Sequence, residues 1–339
     1  MQSRAIFFAA VILLGFIDLA WGQQSPTAAT PALASPSQDC IVGLGPSRAG
    51  GLATDPAPMP LHLDQDLKIL TQEQAQLVQC ILNADAPDPA QNSARACSRS
   101  LLLKFEMRHD GEPERDIAIG RLPGSSGFFY ESGMTIDADG APNAYHPDNI
   151  GLDDIANAGS PGVWEGLAKD ADGKPFIQGP HDPFPGYYVS ATALADRSKP
   201  VNDPARYVDA SRIPYVVLPG GMARQLGARP GDFAAAFNQR NGKSSFAIFG
   251  DVGPFDRIGE GSMALAESLG VRSDARDGGT RRGILYLVFP GSGSGGPRST
   301  EEINGEGQKL LLDWEASISR EGCAIQGSIP ETQGNRPSN

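Results

Sequence analysis

Hydrophobic positions along this chain change their spacing near residue 100. Before it, "LTQEQAQLVQCILNADAP" places Leu77, Val78, Ile81 and Leu82 on one helical face, and Thr71 with Gln74 has the spacing of a capping box. After it, apolar residues come in short runs broken by Gly, Pro and Asp. "LLLKFEMRH", "DIAIGRLP", "GFFYESGMTIDADG", "GYYVSATAL", "IPYVVLPGG", "SFAIFGD" and "GILYLVFPGS" are brief, rich in β-branched and aromatic residues, and bounded by turn formers, so each predicts a strand. Helical patterns are few. "GGMARQLGA" allows a turn or two, "SMALAESLG" is a short helix stopped by Gly270, and "STEEINGEGQKLLLDWEAS" is a terminal helix with Ser299 and Glu302 as its capping box. A mainly β fold follows, a closed barrel with a few helices around it, because closure leaves no exposed sheet edge.

The amino terminus reads differently. Arg4 precedes an apolar run from Ala5 to Leu14 that resumes at Phe16, and the small-residue ending Ala20-Trp21-Gly22 follows. This is the layout of a secretory signal over residues 1–22, and Asp18 shortens the apolar run below the roughly 20 residues of a membrane span. Export, to the medium or the periplasm, is therefore expected, with no stable membrane insertion. Residues 23–60 are rich in Pro, Ala, Ser and Thr and form a linker or loosely packed arm. Residues 61–325 are the expected catalytic domain, with a helical extension over 61–100, and 326–339 a disordered tail. In an exported chain the even set Cys40, Cys80, Cys97 and Cys323 is compatible with two disulfides. Cys80 with Cys97 and Cys40 with Cys323 is the preferred pairing of three.

Composition narrows the partners. Forty acidic against 28 basic residues give a net charge of −12, which does not suit nucleic acid and does suit a cationic partner. No C-x-x-C occurs, and His62, His109, His146 and His181 are scattered without metal-ligand spacing. No metal and no cofactor are expected, and a monomer is.

The candidate chemistry lies in "AIFGDVGPFDRIGEGSMALAESLGV". Asp251 and Glu260 each follow a glycine at opposite ends of a short loop. With "SFAIFGD" read as a strand ending at Gly250, Asp251 sits at its mouth. Glu260 either makes a contact at the start of the following helix or is half of a carboxylate pair. Glycoside hydrolysis needs such a pair, one carboxylic acid to protonate the leaving oxygen and one carboxylate as base or nucleophile. "MTIDADG" adds Asp137 and Asp139, which read most simply as a turn, since the terminal Glu of a calcium loop is missing. Of Tyr187 and Tyr188, which alternate faces, one is a candidate for the core and the other for a sugar groove. Trp164 is a candidate for either place.

Together, "IPYVVLPGG", "RPGDFAAAFNQRNGKSSFAIFGDVGP" and "IGEGSMALAESLG" resemble the central block of the family 75 glycoside hydrolases, the fungal-type chitosanases, in a bacterial-like variant. "MTIDADG" resembles that family's Asp-rich segment, with Ala138 where a cysteine often stands, and "YYVSATAL" resembles a family strand. The inserted "HPDNIGLDDIANAGSPGVWEG" departs from the pattern. The resemblance implies an endo-acting, inverting hydrolase of chitosan with Asp251 and Glu260 as the essential acids. Asp137, Asp139 and Tyr188 are the candidate substrate-binding residues. The "GDVG" turn is also similar to that of double-psi barrel enzymes, which makes a double-psi β-barrel the expected architecture. Two other functions stay open: cleavage of peptidoglycan by such a barrel, and a non-hydrolytic, expansin-like wall-binding role that would need only one acid.

Overall fold

A computed structural model describes residues 101–109, 112–122 and 124–320 of the 339. The expected signal, arm, amino-terminal helix and tail, and all four cysteines, lie outside the described residues.

Among the described residues, ten strands and three α-helices follow in order. They are β1 (Leu101–His109), β2 (Glu112–Arg121), β3 (Phe128–Asp137), the short pair β4 (Gly159–Ser160) and β5 (Val163–Trp164), β6 (Tyr215–Pro219), α1 (Gly220–Gln225), β7 (Phe233–Asn238), β8 (Ser244–Gly253), β9 (Glu260–Ser262), α2 (Met263–Ser268), β10 (Thr280–Phe289) and α3 (Thr300–Arg320). The main sheet runs β1-β2-β3-β10-β7-β8-β6-β9, and β9 pairs back onto β3. Six strands therefore close on one another, with β1 and β2 as an antiparallel extension. Two pairings in the ring, β3–β9 and β6–β8, are parallel, and the other four are antiparallel. The expected closed, mainly β barrel is present. Its double-psi designation remains an expectation drawn from resemblance.

Alternation along each strand divides the apolar residues between two cores. Tyr130, Met134, Val216, Leu218, Ala234, Ala236, Phe249, Ile284 and Tyr286 belong to the one inside the ring, joined by Leu265 and Leu269 from the α2 region. Tyr215, Val217, Phe246, Ile248, Leu285 and Leu287 belong to the other, on the outer wall. There they are covered by the long segment between β3 and β6, through Tyr145, Leu167 and Leu194, and by Ile303, Leu311 and Trp314 of α3. The capping box at the start of α3 forms as expected: Ser299 N–H donates to Glu302 Oε2 over 2.9 Å, and Glu302 N–H to Ser299 Oγ over 3.3 Å.

Six of the seven predicted strands are present. "GYYVSATAL" is not one. Tyr188 and Ser190 make only isolated bridges, to Ile177 and Leu167, because this stretch lies over the barrel wall instead of joining it. Four strands went unpredicted: the two-residue pair β4 and β5, and in the ring β7 and β9. β7 is "FAAAFN", whose alanines are weak strand formers but fit the crowded wall, buried on both faces. β9 has only three residues.

β8 also differs from expectation, and the difference places the site. The strand does not end at Gly250 but continues to Gly253. Its register against β6 steps from Val216↔Phe249 to Val217↔Asp251, leaving Gly250 opposite no residue. That is a β-bulge, which re-aims the side chains beyond it. Without it, Asp251 would share the inward face of Phe249. With it, Asp251 shares the outward face of Val217. Glycine is required at the bulge, because a Cβ there would lie 2.5 Å from Cγ of the Tyr215 ring.

Candidate active site

The barrel register aligns side chains in rows across its outer wall. Thr135 pairs with Glu260, Glu260 with Val217, and Val217 with Asp251. Glu260 and Asp251 therefore face the same way with one strand, β6, between them. Two strand spacings separate their Cα atoms by roughly 9–10 Å. Glu260 does not cap α2. That contact belongs to Ser262, whose Oγ accepts from Leu265 N–H at 3.1 Å and from Tyr215 N–H at 3.0 Å. Gly253 gives the Glu260 carboxyl room, since a Cβ there would stand 3.1 Å from its Oε2.

In the next row along β3, Asp137 pairs with Ser262. The chain then turns: Asp139 N–H donates to Asp137 Oδ1 at 2.7 Å, and Gly140 takes φ 77°. Gly140 packs so tightly that a Cβ would meet the Val208 carbonyl oxygen at 2.0 Å. "DADG" is thus a turn, as expected, but one that delivers two carboxylates to the site. Asp137, Asp139 and Asp251 each offer a carboxylate oxygen, and these lie within 4.8 Å of one another. Such a set could hold a cation, although none was expected from the sequence.

Neighbouring groups hold this cluster. Ser190 Oγ lies 3.1 Å from Asp139 Oδ1, and Tyr215 donates its hydroxyl to the Asp139 carbonyl at 3.0 Å. Asp251 Oδ1 accepts two backbone bonds, from Ala193 N–H at 2.7 Å and Val252 N–H at 2.8 Å. No hydrogen bond reaches the Glu260 side chain among the described residues. A further carboxylate, Asp153, is 4% exposed and lies 3.4 Å from the Tyr145 hydroxyl. Its loop is clasped by Arg276, which donates to Asp154 Oδ1 at 2.6 Å and to the carbonyls of Asn149, Gly151 and Asp153 at 2.9, 3.1 and 3.1 Å.

So many acids in one desolvated place cannot all be ionised near neutrality. Burial, then the charge of Asp137, pushes Asp251 up to about 8. The same two causes, in the same order, push Glu260 up to about 8, against a partial opposing pull from Arg257. Burial pushes Asp137 up to about 6, and Asp139 is raised well above the usual carboxylate range by burial and by Asp137 and Asp251. The Tyr145 and Tyr215 hydroxyls are pushed up by burial and by the same acids, so both stay protonated donors.

The structure thus brings four of the five sequence-chosen residues together in one acidic cluster. Tyr188 is half-buried against the outer core, its ring 6.2 Å from Trp164. Its backbone bonds run to Tyr145 and Gln178. Sequence reading missed Tyr145, Asp153, Ser190 and Tyr215. The first two lie in or beside the inserted segment, where no spacing marked them as chemical.

A strand-borne and a bulge-aimed carboxylate on one wall of a β-barrel, surrounded by further acids, define a site fit for glycoside hydrolysis. Residues 170–325 match a family model described as the fungal chitosanase of glycosyl hydrolase group 75, and the match supports a glycoside hydrolase. The match includes Asp251, Glu260 and Tyr188, while Asp137, Asp139, Tyr145 and Asp153 precede it. No curated protein matches the chain.

Proposed function

We propose that this protein is an exported, endo-acting chitosanase that cleaves β-1,4 bonds between glucosamine units with inversion, using Glu260 as general acid and Asp251 as general base. The observation that carries this reading is the bulge at Gly250, which sets Asp251 on the row of Glu260 with one strand between them. Inversion requires carboxyl groups roughly 6.5–9.5 Å apart, with space for water, against about 5–5.5 Å for retention. Two strand spacings favour the wider gap.

The roles follow from the partners of each acid. Two backbone N–H groups on Asp251 pull against its burial toward the ionised form, which suits it to activating water once its proton is drawn off. Glu260 has no such donors and is held protonated by burial, suited to donating to the leaving oxygen. Asp137 and Asp139 place negative potential beside Asp251, where a glucosaminium group would bind and, by its charge, draw the Asp251 proton off. The net charge of −12 suits a polycationic substrate in the same sense.

The test is product analysis on chitosan, chitin and peptidoglycan for the wild-type chain, Asp251→Asn and Glu260→Gln. Release of chitosan oligomers by wild type, with turnover lowered by orders of magnitude in both variants, is expected. Near-normal turnover in either variant removes that residue from the mechanism, and cleavage of peptidoglycan alone replaces the substrate.

A further inference from the structure

On the far side of Glu260 from Asp251, the surface changes sign. Thr135, which pairs with Glu260, lines a cleft of about 980 Å³ together with Ile258 and Gly259. Four arginines, Arg115, Arg240, Arg281 and Arg282, line the same cleft, against the one acid Glu114. This is a concentration of positive charge in a chain of net −12.

What sets these arginines apart is their convergence on one cleft, since arginines without an ion pair occur elsewhere among the described residues. Arg108, Arg229, Arg272, Arg276 and Arg298 each pair with a carboxylate. Among the described residues, no ion pair engages any of the four in the cleft. Arg115 donates through Nη1 to the Arg281 carbonyl at 3.2 Å, while its Nε is buried with no hydrogen-bond partner. A buried charged donor left unmatched is costly, and such an atom calls for a specific explanation. An oxyanion in the cleft would provide one. It would satisfy that donor and relieve the mutual repulsion of four cations, and the planar guanidinium fork matches carboxylate and phosphate geometry.

We propose that this cleft is an oxyanion-binding site, continuous with the row that carries Glu260. A glycan chain lying over Asp251 and Glu260 would run from the acidic cluster on one side into the arginines on the other. It would present a cationic sugar to the first and an acid-bearing group, which chitosan itself lacks, to the second, so that the glycans accepted would extend beyond chitosan. A free inorganic oxyanion is the other source of the same chemistry. The glycan source rests on the hydrolase reading, whereas the oxyanion site does not.

Calorimetric titration of the full chain with inorganic phosphate and with trigalacturonate tests this, alongside Arg281→Ser/Arg282→Ser. Both changes fall on exposed residues, and a thermal melt of the double variant that matches the parent's serves as the control for folding. At least one probe should bind, with affinity at least tenfold weaker in the double variant and weaker in high salt. Tighter binding of trigalacturonate assigns the site to an acidic glycan, and tighter binding of phosphate to a free anion. Binding of neither probe, or equal binding by wild type and the double variant, overturns the proposal. Failure of the hydrolase reading would show separately, as turnover retained in Glu260→Gln.

Discussion

Replacing Asp137 with Asn should move the pH–activity profile toward acid. Asp251 and Glu260 are both raised to about 8, and in each the charge of Asp137 is the largest contribution after burial. Carboxylate oxygens of Asp137 and Asp251 lie within 4.8 Å. Two unit charges at that separation interact by ~3.5 kcal/mol at an effective dielectric of ~20. Two facts reduce the usable share: Asp251 is partly open to water, and Asp137, itself raised to about 6, is not fully ionised on the acid side. Roughly 1.4–2 kcal/mol remains, or about one pH unit. Asn keeps an Oδ1 to accept from Asp139 N–H, so the turn survives the change. The assay is kcat/KM on soluble chitosan from about pH 4 to about pH 9, which reports the free enzyme's base on the rising limb and its acid on the falling limb. Both limbs should move down, the rising one by about one unit. Unmoved limbs in a variant that melts like the parent would refute the coupling.

Three other outcomes are expected. The folded chain holds Asp137, Asp251 and Glu260 above the ordinary carboxylate range, so it binds more protons than the unfolded chain between about pH 4 and about pH 8, and stability should fall as pH rises through that window; a melting temperature that climbs across it would contradict these assignments. Gly250→Ala forces a Cβ against the Tyr215 ring and disturbs the bulge, so turnover should drop on the order of 100-fold with a smaller loss of stability, and parental turnover would show that the bulge does not aim Asp251. Asp139→Asn should weaken binding of chitosan far more than of chitin fragments, most of all at low salt, whereas equal loss on both would mark a purely structural role in the turn.

The barrel was legible because most of its strands are short β-branched or aromatic runs whose residues serve either core. β7 escaped because its alanines answer to crowding between the two cores, which no local propensity records. Asp251 and Glu260 were legible through the glycines around them, but for an incomplete reason. Gly250 is not the end of a strand; it is the unpaired residue of a bulge, and only the β6 register reveals that. The insertion read as a departure from the family pattern carries Asp153, which joins the acids through Tyr145, and its anchor Arg276 lies more than a hundred positions away. Proximity of that kind is made by the fold, and a linear pattern does not contain it.

The central claim, that Asp251 and Glu260 act as an inverting pair across one strand, is tested most directly by the anomer first released. Proton NMR of early chitosan hydrolysis by the wild-type chain, recorded before mutarotation, should show the α-anomer appearing from the β-linked polymer. Initial release of the β-anomer would contradict the claim.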